Sequence, residues 1–467
     1  MNTPKHIHFI GICGVGMGAL AIMMKKKGHK VTGSDVGFYP PISTHLQENN
    51  IEYYAGWHTE QVGTPDLVVV GNVAGSENPE WKLVQENKIP FVSYPELIAR
   101  ELVRKNSIVC AGTYGKTSTS ALLAWILINA GENPAYMFGG LSQTPALASE
   151  DLGGDWSVLE GDEYKTARWD NSPKFSHYSP THLLLTAVKW DHADVYPTES
   201  GYFEAFEKLA QSIPDTGLAI ISENVPKNIT DKFAFSKITY GQTTGLDYTY
   251  SAITQTKDGL HFEIQHHDQK FSIRTNLLGA YQAENICGAF ALACEIGIAP
   301  EKIIESIASF AGIKRRLEKR GSTKNYTPVY DDIAHSPTKV KSVLENLRKI
   351  FIGKTICVFE PNTGNRTHES IPAYAHAFDL ADEVIIPKLT KLKNDSEYLD
   401  GEQLAQIIKK DNPNTIYIED DDQLVTTLNQ ATPSDVIVFC GSHGFRGMID
   451  KMIRPDRDSS HSFGMTV

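Results

Sequence analysis

A glycine-rich turn carrying one lysine stands between an apolar segment and a helix-forming one. Gly112, Gly115, Lys116 and Thr117 directly follow the apolar run 107–110, which has the composition of a buried strand. Glycines let backbone N–H groups turn towards a phosphate chain, and a helix N-terminus adds positive potential. A lysine here neutralises the outer phosphates, and a hydroxyl here binds magnesium. The strand-loop-helix context predicts a nucleotide site, although a cysteine replaces the first glycine of the full phosphate-loop motif.

Acidic side chains follow two further apolar segments downstream. Glu160 comes after the run 156–159, and Asp191 and His192 come after the run 182–186. In open α/β sheets the active site forms at the carboxyl ends of the strands. Oxygen ligands together with one imidazole suit Mg²⁺ or Mn²⁺ beside phosphate. The two clusters, following one phosphate loop, predict a metal site.

The N-terminus contains a second glycine-rich loop. Gly11, Gly14 and Gly16 follow a short apolar strand, and Asp35 comes 19 residues after the last of them. This pattern is similar to a dinucleotide fingerprint, in which glycines approach a diphosphate and an acid binds a ribose. The spacing departs from the strict fingerprint. A nucleotide-sugar diphosphate meets the same physical demands as a nicotinamide dinucleotide, and it also explains why a second phosphate loop follows.

Alternating strand and helix patterns position these loops in three blocks. This rhythm predicts α/β domains with parallel sheets and crossover helices. The expected domains are residues 1–104, 105–322 and 323–467. The main predicted strands are 6–10, 30–32, 67–71, 107–110, 156–159, 182–186, 218–221, 329–332, 355–359, 383–386 and 436–440. The main predicted helices are an amphipathic helix at 16–27 and helices at 120–130 and 283–297. A small antiparallel patch is predicted over 247–275, and a loose tail over 454–467.

Composition limits the partners and the compartment. The 467 residues include 44 Lys and Arg against 56 Asp and Glu, a net charge of −12. Such a chain is not built to bind nucleic acid or anionic lipid broadly. It has no apolar run of about 18 residues and no signal-like N-terminus, so neither a membrane span nor secretion is predicted. Six scattered cysteines without a CxxC motif indicate a reduced, cytoplasmic protein.

Several motifs in one order resemble the Mur ligase family along essentially the whole chain. Tyr114 replaces the histidine of the family's phosphate loop, and Gln282 replaces the first asparagine of a later ATP-contacting element. The motifs are the N-terminal glycine loop, Thr32 to Asp35, Gly112 to Ser118, Glu160 to Glu163, Asp191 to Asp194, Gly279 to Asn285, Lys314 to Arg316 and Asp332 to His335.

The resemblance implies a fold and a reaction. The fold is a Rossmann-like UDP-binding domain, a central P-loop ATPase-like domain and a Rossmann-like C-terminal domain that binds an amine donor. ATP, with Mg²⁺, phosphorylates the carboxylate of UDP-N-acetylmuramate, and an amine attacks the acyl phosphate. The implied catalytic residues are Lys116, Glu160 and His192, and the implied metal ligands are Thr117, Glu160 and His192.

The resemblance also implies the ligand contacts. The ATP contacts are Gly112, Thr113, Gly115, Lys116, Thr117, Ser118, Asn285, Arg316 and Asp332. The UDP-sugar contacts are Gly11, Cys13, Gly14, Val15, Gly16, Met17, Ser34 and Asp35. His335 and Arg366 are candidates for the amine donor, because a guanidinium fork suits its carboxylate. For both, a purely structural role is the alternative.

Two branches of the family use a UDP-muramic acid acceptor, one adding L-alanine and one reattaching the recycled tripeptide L-Ala-γ-D-Glu-meso-diaminopimelate. Cys13, the segment 39–44, the segment 163–167 and the loop 442–447 resemble the recycling branch. Gly16 and the segment 365–367 resemble the alanine-adding branch. The tripeptide is the expected donor, L-alanine the alternative, and the enzyme is expected to be a monomer or weak dimer. A nicotinamide-dependent dehydrogenase would leave the phosphate loop unexplained, and a non-catalytic P-loop protein would leave the metal cluster unexplained.

Overall fold

A computed structural model describes residues 5–38, 42–191, 195–235, 237–390 and 398–454. It contains three main β-sheets, and the chain divides into two compact units. The first unit is Met1–Thr254, His261–Asn276 and Tyr281–Ile313; the second is Gln255–Leu260, Leu277–Ala280 and Lys314–Val467. The first two sheets lie in the first unit, apart from residues 255–260, and the third sheet lies in the second unit.

The first sheet has five parallel strands in the order β3-β2-β1-β4-β5. This is the Rossmann arrangement, and its switch point lies where β1 meets β4. The strands are β1 (His6–Ile10), β2 (Lys30–Asp35), β3 (Glu52–Ala55), β4 (Leu67–Val70) and β5 (Phe91–Ser93). The helices are α1 (Val15–Lys26), α2 (Ile42–Glu48), α3 (Thr59–Val62), α4 (Pro79–Glu86) and α5 (Tyr94–Leu102).

Helix α1 differs from its prediction. The pattern 16–27 predicts an amphipathic helix, whereas every residue from Met17 to Met24 is buried. The helix packs against α2, β2 and β8 (Ser149–Asp151), a strand of the second sheet, so protein covers more than one of its faces. A helix covered on several sides has no reason to carry a polar stripe.

The second sheet has ten strands in the order β17-β16-β15-β14-β13-β12-β6-β9-β7-β8. The remaining strands, β10 (Lys165–Ala167) and β11 (Asp170–Pro173), form a separate antiparallel hairpin. The ten are β6 (Asn106–Ala111), β7 (Ala135–Met137), β8, β9 (Trp156–Gly161), β12 (His182–Leu185), β13 (Leu218–Ser222), β14 (Ile238–Gly241), β15 (Tyr248–Thr256), β16 (Gly259–His266) and β17 (Gln269–Thr275). Its helices are α6 (Lys116–Ala130), α7 (Glu199–Ser212), α8 (Lys227–Thr230), α9 (Tyr281–Glu295) and α10 (Pro300–Ser309), with a 3-10 turn at Lys174–His177.

Strand order explains why distant segments meet. β6 lies between β12 and β9, all three run parallel, and Cys110 pairs with Leu184 on one side and with Glu160 on the other. The carboxyl ends of these strands therefore meet at one edge. The patch predicted over 247–275 is part of this large sheet, because β14 pairs with β15.

The third sheet has six strands in the order β18-β19-β23-β20-β21-β22, with only β18 antiparallel to its neighbour among the described strands. The strands are β18 (Glu318–Ser322), β19 (Pro328–Asp332), β20 (Thr355–Glu360), β21 (Glu383–Pro387), β22 (Thr415–Ile418) and β23 (Val436–Gly441). The helices are α11 (Pro337–Arg348), α12 (Gly401–Ile408), α13 (Asp421–Leu428) and α14 (Met448–Met452), with 3-10 turns at Thr363–Asn365, His368–Tyr374 and Phe445–Gly447.

The predicted α/β class with three domains is confirmed, and the exact domain boundaries stay a prediction. Among the described helices, none combines the length and the apolar character that crossing a membrane requires. The tail predicted from residue 454 onwards lies, from 455, outside the described residues, as do residues 39–41 of the segment 39–44.

Candidate active site

The phosphate loop joins β6 to α6 through two glycines with positive φ. Gly112 has φ +131° and Gly115 has φ +80°. Residues with a Cβ atom rarely adopt such positive φ values. A Cβ on Gly115 would also collide with Oδ1 of Asn285, whose side chain is buried against the loop. Helix α6 begins at Lys116, four residues before the predicted start at 120, because Gly115 caps it directly.

Lys116 lies over the loop and pairs with a carboxylate. Its Nζ donates to the carbonyl oxygen of Gly112 at 2.7 Å and lies 2.8 Å from Oε2 of Glu163, a fully buried residue. The loop and the acidic segment therefore lie in one cluster. The pairing with Glu163 rather than Glu160 was not predicted, since the sequence places both acids after the same predicted strand, 156–159.

Glu160 and Thr117 form the second contact of the cluster. Thr117 Oγ1 donates to Glu160 Oε1 at 2.8 Å, and the backbone N–H of Gly139 donates to Oε2 at 2.5 Å. Burial raises the pKa of Glu160, against the hydrogen bonds from Gly139 and Thr117 and the charge of Lys116. A buried carboxylate with a raised pKa gains from a nearby cation.

A supporting layer fixes the loop from β12 and α7. Thr113 donates its backbone N–H to the Ala187 carbonyl oxygen at 2.7 Å, and its Oγ1 lies 2.9 Å from Oη of Tyr202. The Tyr202 hydroxyl in turn donates to Oε1 of Glu163 at 3.4 Å. Tyr202 is not among the site residues predicted from the sequence, because its contact with the loop depends on how α7 packs.

Residues of β2 accept hydrogen bonds from the N-terminal glycine loop. The Asp35 carboxylate accepts the N–H of Cys13 at 2.8 Å, and the Ser34 carbonyl oxygen accepts the N–H of Gly11 at 2.8 Å. Burial raises the pKa of Asp35 despite this hydrogen bond. Gly16 leaves no room for a Cβ, which would collide with the Tyr94 hydroxyl.

Ser34 itself is buried, and its side chain is engaged in the protein. Its Oγ donates to Oε2 of Glu80 at 2.5 Å, and the same carboxylate accepts the Tyr54 hydroxyl at 2.8 Å and the His58 N–H at 2.7 Å. As placed, Ser34 supports the glycine loop through its carbonyl oxygen. Its predicted contact with the UDP-sugar stays a prediction.

One cavity of about 270 Å³ lies between the N-terminal glycine loop and the acidic segment at the end of β9. Gly14, Gly16 and Met17 line it from α1, while Glu160 and Asp162 line it from β9 and the loop that follows. Its other lining residues are Val70, Gly71, Asn72, Tyr94, Met137, Gly139, Thr166, Lys174 and Tyr178. The N-terminal glycine loop and Glu160, which the sequence assigns to separate ligand sites, therefore share one cavity, and Thr117 of the phosphate loop reaches it only through its hydrogen bond to Glu160. Val15 lies on the first turn of α1, between Gly14 and Gly16.

The second unit carries the remaining ATP-site candidates. Asp332 is buried and accepts the N–H groups of Leu317 and Ala334, each at 2.7 Å. Burial raises its pKa despite these bonds. Arg316 is exposed on the preceding loop. Because Asp332 and Arg316 belong to the second unit, their predicted contacts with ATP stay a prediction.

The amine-donor candidates have structural contacts of their own. His335 Nδ1 lies 2.8 Å from the Ile333 carbonyl oxygen, and burial, then the charge of Lys339, lowers the pKa of the imidazole. Arg366 is buried, with Nε donating to the Leu399 carbonyl oxygen at 3.0 Å and Nη1 to that of Thr390 at 2.9 Å. Their predicted role in donor binding remains untested.

The third predicted metal ligand, His192, lies outside the described residues. Within the described part of the chain, no three His, Cys, Asp or Glu side chains are grouped so as to hold a metal. The described oxygens at the predicted site are those of Thr117 and Glu160, and Ser118 follows them on the first turn of α6.

Comparison with known proteins gives a consistent family. Residues 6–105 match the Mur ligase family catalytic domain, residues 110–293 the Mur ligase middle domain, and residues 315–443 the Mur ligase glutamate ligase domain. These three matches cover most of the chain in the order of its three sheets.

Two curated relatives have the same name, UDP-N-acetylmuramate–L-alanyl-γ-D-glutamyl-meso-2,6-diaminoheptandioate ligase. The one from Haemophilus influenzae is 34% identical over 77% of this chain and 80% of its own. The one from Escherichia coli is 32% identical over 96% of this chain and 97% of its own. A UDP-N-acetylmuramate–L-alanine ligase from Desulfitobacterium hafniense is 30% identical over 94% of this chain and 97% of its own.

Solved structures agree with this. The murein peptide ligase of Psychrobacter arcticus is 27% identical with a TM-score of 0.70, covering 96% of this chain and 98% of its own. The UDP-N-acetylmuramate-alanine ligase of Thermotoga maritima has a TM-score of 0.79 at 22% identity over 96% and 98%, which shows a shared fold. This chain belongs to the Mur ligase family and is an ATP-dependent amide-bond-forming ligase.

Proposed function

We propose that this ligase joins the lactyl carboxylate of UDP-N-acetylmuramate to the amino group of L-Ala-γ-D-Glu-meso-diaminopimelate, in peptidoglycan recycling. The observation that supports the acceptor is the shared cavity. Gly14 and Gly16 line one side and Glu160, hydrogen-bonded to the phosphate-loop Thr117, lines the other. A ligand with a diphosphate at one end and a carboxylate at the other would reach both.

The chemistry divides into two steps. A carboxylate oxygen attacks the γ-phosphorus of ATP and ADP leaves; the amine then attacks the acyl carbon, loses a proton, and phosphate leaves. The first step brings two anions together, so its barrier falls when charge is neutralised in place. Lys116 would supply one such charge, because its ammonium is already fixed over the loop by Gly112 and Glu163.

The residues present fit a magnesium ion. Mg²⁺ prefers oxygen ligands and keeps several waters and phosphate oxygens. Thr117 Oγ1 and Glu160 Oε1, 2.8 Å apart, are such ligands, and the raised pKa of Glu160 shows that this buried carboxylate lacks full charge compensation. When bound there, Mg²⁺ would neutralise charge on the transferred phosphoryl group.

The tripeptide as donor is supported by the relatives at 34% and 32% identity that are named for it. Relatives named for L-alanine are 28–30% identical. Cys13 and the segments 163–167 and 442–447 point the same way. The second candidate, L-alanine as donor, is favoured by the segment 365–367, which resembles the alanine-adding branch.

A competition assay tests the proposal. The full chain would be given ATP, Mg²⁺ and UDP-N-acetylmuramate with equal tripeptide and L-alanine, and phosphate release and product mass would be measured. We expect phosphate release only when acceptor and donor are both present, and the tripeptide adduct as the main product. An L-alanine adduct would assign the other branch. Phosphate release without acceptor, or oxidation of a nicotinamide cofactor, would contradict the ligase proposal itself.

A further inference from the structure

The shared cavity contains one feature that the mechanism above does not use. Tyr178 lines it from the end of the 3-10 turn, is fully buried, and its hydroxyl has no hydrogen-bond partner. A buried hydroxyl without a partner is destabilising, because its lost hydrogen bonds to water are not replaced, so its presence at the wall of a cavity needs a reason. A ligand oxygen would satisfy it.

A lysine lines the same wall. Lys174 begins the 3-10 turn, and its Nζ lies 2.5 Å from Oδ2 of Asp162. An ammonium has three N–H donors, and the contact with Asp162 uses one of them. Lys174 and Tyr178 line the same cavity, and Lys174 is the one cation among its described lining residues.

The hydroxyl acts as a donor at any working pH. Burial, followed by electrostatic repulsion from Tyr94, Asp162 and Glu160, raises the pKa of Tyr178 well above its ordinary value. A neutral phenol and an ammonium that line one cavity both suit an acceptor oxygen, and hydrogen bonds from an ammonium to a carboxylate are the strong, charge-assisted ones.

Size and position indicate which part of the ligand would lie there. Small-molecule sites usually measure about 300–1,000 Å³, and this cavity measures about 270 Å³. It therefore suits one end of a nucleotide sugar rather than the whole. Its glycine-lined side suits the diphosphate, and its Glu160 side adjoins the phosphate loop, so the sugar acid falls between them.

We propose that Lys174 and Tyr178 bind the lactyl carboxylate of the UDP-muramic acid substrate and position it for phosphorylation. This rests on the proposed function, because it takes the acceptor as given. The pair would distinguish a sugar with a lactyl acid from the same sugar without it. It would make the hairpin β10–β11 and the turn after it a specificity element.

Direct binding to two UDP-sugars tests the inference. UDP-N-acetylmuramate and UDP-N-acetylglucosamine differ by the lactyl group, so the ratio of their dissociation constants isolates the acid contact. Calorimetry on the full chain, without ATP, would compare wild type with Lys174→Met, Tyr178→Phe and Lys174→Arg. We expect Lys174→Met and Tyr178→Phe each to weaken binding of UDP-N-acetylmuramate about tenfold and binding of UDP-N-acetylglucosamine less than about threefold. Lys174→Arg should retain most of the preference for UDP-N-acetylmuramate.

A matched control is available on β14 of the second sheet. Tyr240 is also fully buried with an unpartnered hydroxyl, but it does not line the cavity. Tyr240→Phe should leave both dissociation constants unchanged. In turnover, Lys174→Met and Tyr178→Phe should raise KM for UDP-N-acetylmuramate and leave KM for ATP unchanged.

The outcomes separate the inference from the proposed function. The carboxylate assignment would be overturned, while the ligase proposal stands, by any of three results: binding of both UDP-sugars weakened equally, no change in either dissociation constant, or a wild type that binds the two equally well. A wild type that binds neither sugar would overturn both. Thermal unfolding of each variant identifies one that fails through misfolding, and Lys174→Arg, which keeps the charge, then decides the case.

Discussion

Two buried glutamates in the first unit have opposite electrostatic environments. Glu80, on α4, accepts hydrogen bonds from Ser34, Tyr54 and the backbone N–H of His58. His8 lies 3.8 Å away. Burial alone would raise the pKa of Glu80, but the hydrogen bonds from these groups outweigh it and the pKa is lowered.

The Glu160 carboxylate accepts two hydrogen bonds from the described residues, from Thr117 and from the N–H of Gly139, and burial keeps its pKa raised. The contrast teaches how to separate a structural acid from a functional one. A buried carboxylate whose hydrogen bonds outweigh its desolvation stabilises the fold, whereas one at a cavity wall whose desolvation is not offset can bind a cation.

Removing the Lys116 ammonium should have the largest effect on turnover. Lys116→Ala should lower turnover about a thousandfold or more, because nothing else in the described loop neutralises the phosphates. Phosphate release with both substrates measures it. Lys227→Ala, an exposed lysine at the start of α8, is the matched control and should keep full activity. Turnover within about tenfold of wild type would contradict the phosphate assignment.

Neutralising Glu160 should separate activity from stability. Glu160→Gln should lower turnover about a hundredfold and raise the Mg²⁺ concentration needed, while the free energy of unfolding at pH 7 stays equal or rises. The raised pKa means that the folded state favours the proton. The stability contribution of Glu160 is therefore full below its unfolded pKa and is lost as pH rises through its folded pKa. Magnesium titration and urea unfolding across pH measure these effects, and a large loss of stability would break the comparison.

The same substitution at Glu80 should lower stability and leave the Mg²⁺ requirement unchanged. Glu80→Gln turns one acceptor into a donor that faces other donors, so it should cost about 1–3 kcal/mol of unfolding free energy with the Mg²⁺ requirement unchanged. Here the folded pKa is lowered, so the stabilisation is present above the unfolded pKa and is lost as pH falls through the folded value. Urea unfolding at several pH values checks the sign. A variant as stable as wild type would show that the hydrogen bonds around Glu80 are not needed.

The smallest effect should come from removing one donor of several. Ser34→Ala should cost about 1 kcal/mol, because Tyr54 and the His58 N–H still satisfy Glu80. Unfolding free energy and the Mg²⁺ titration would be measured together. A change in the Mg²⁺ titration would show that the two clusters are coupled, contrary to the comparison drawn here.

Much of the local structure was predictable, because a buried strand followed by glycines is a local pattern. The prediction 6–10 matches β1, and 182–186 matches β12 to within one residue. The errors have physical causes. Glu160 lies within β9 rather than after it, since a strand continues for as long as its neighbour pairs with it. Helix α1 is buried on several faces, because strand β8, more than a hundred residues away, covers it.

The sequence alone determined the two glycine loops, the acids that end the strands, and through them the family and the class of reaction. Only the tertiary structure decided that Lys116 pairs with Glu163, that Ser34 and Arg366 are buried, and that the N-terminal glycine loop and Glu160 line one cavity with Tyr178 at its wall. The reason is that backbone conformation is encoded within a few residues, whereas the neighbours of a side chain depend on strand order. A β6 strand placed between β9 and β12 brings together segments that no spacing in the sequence connects.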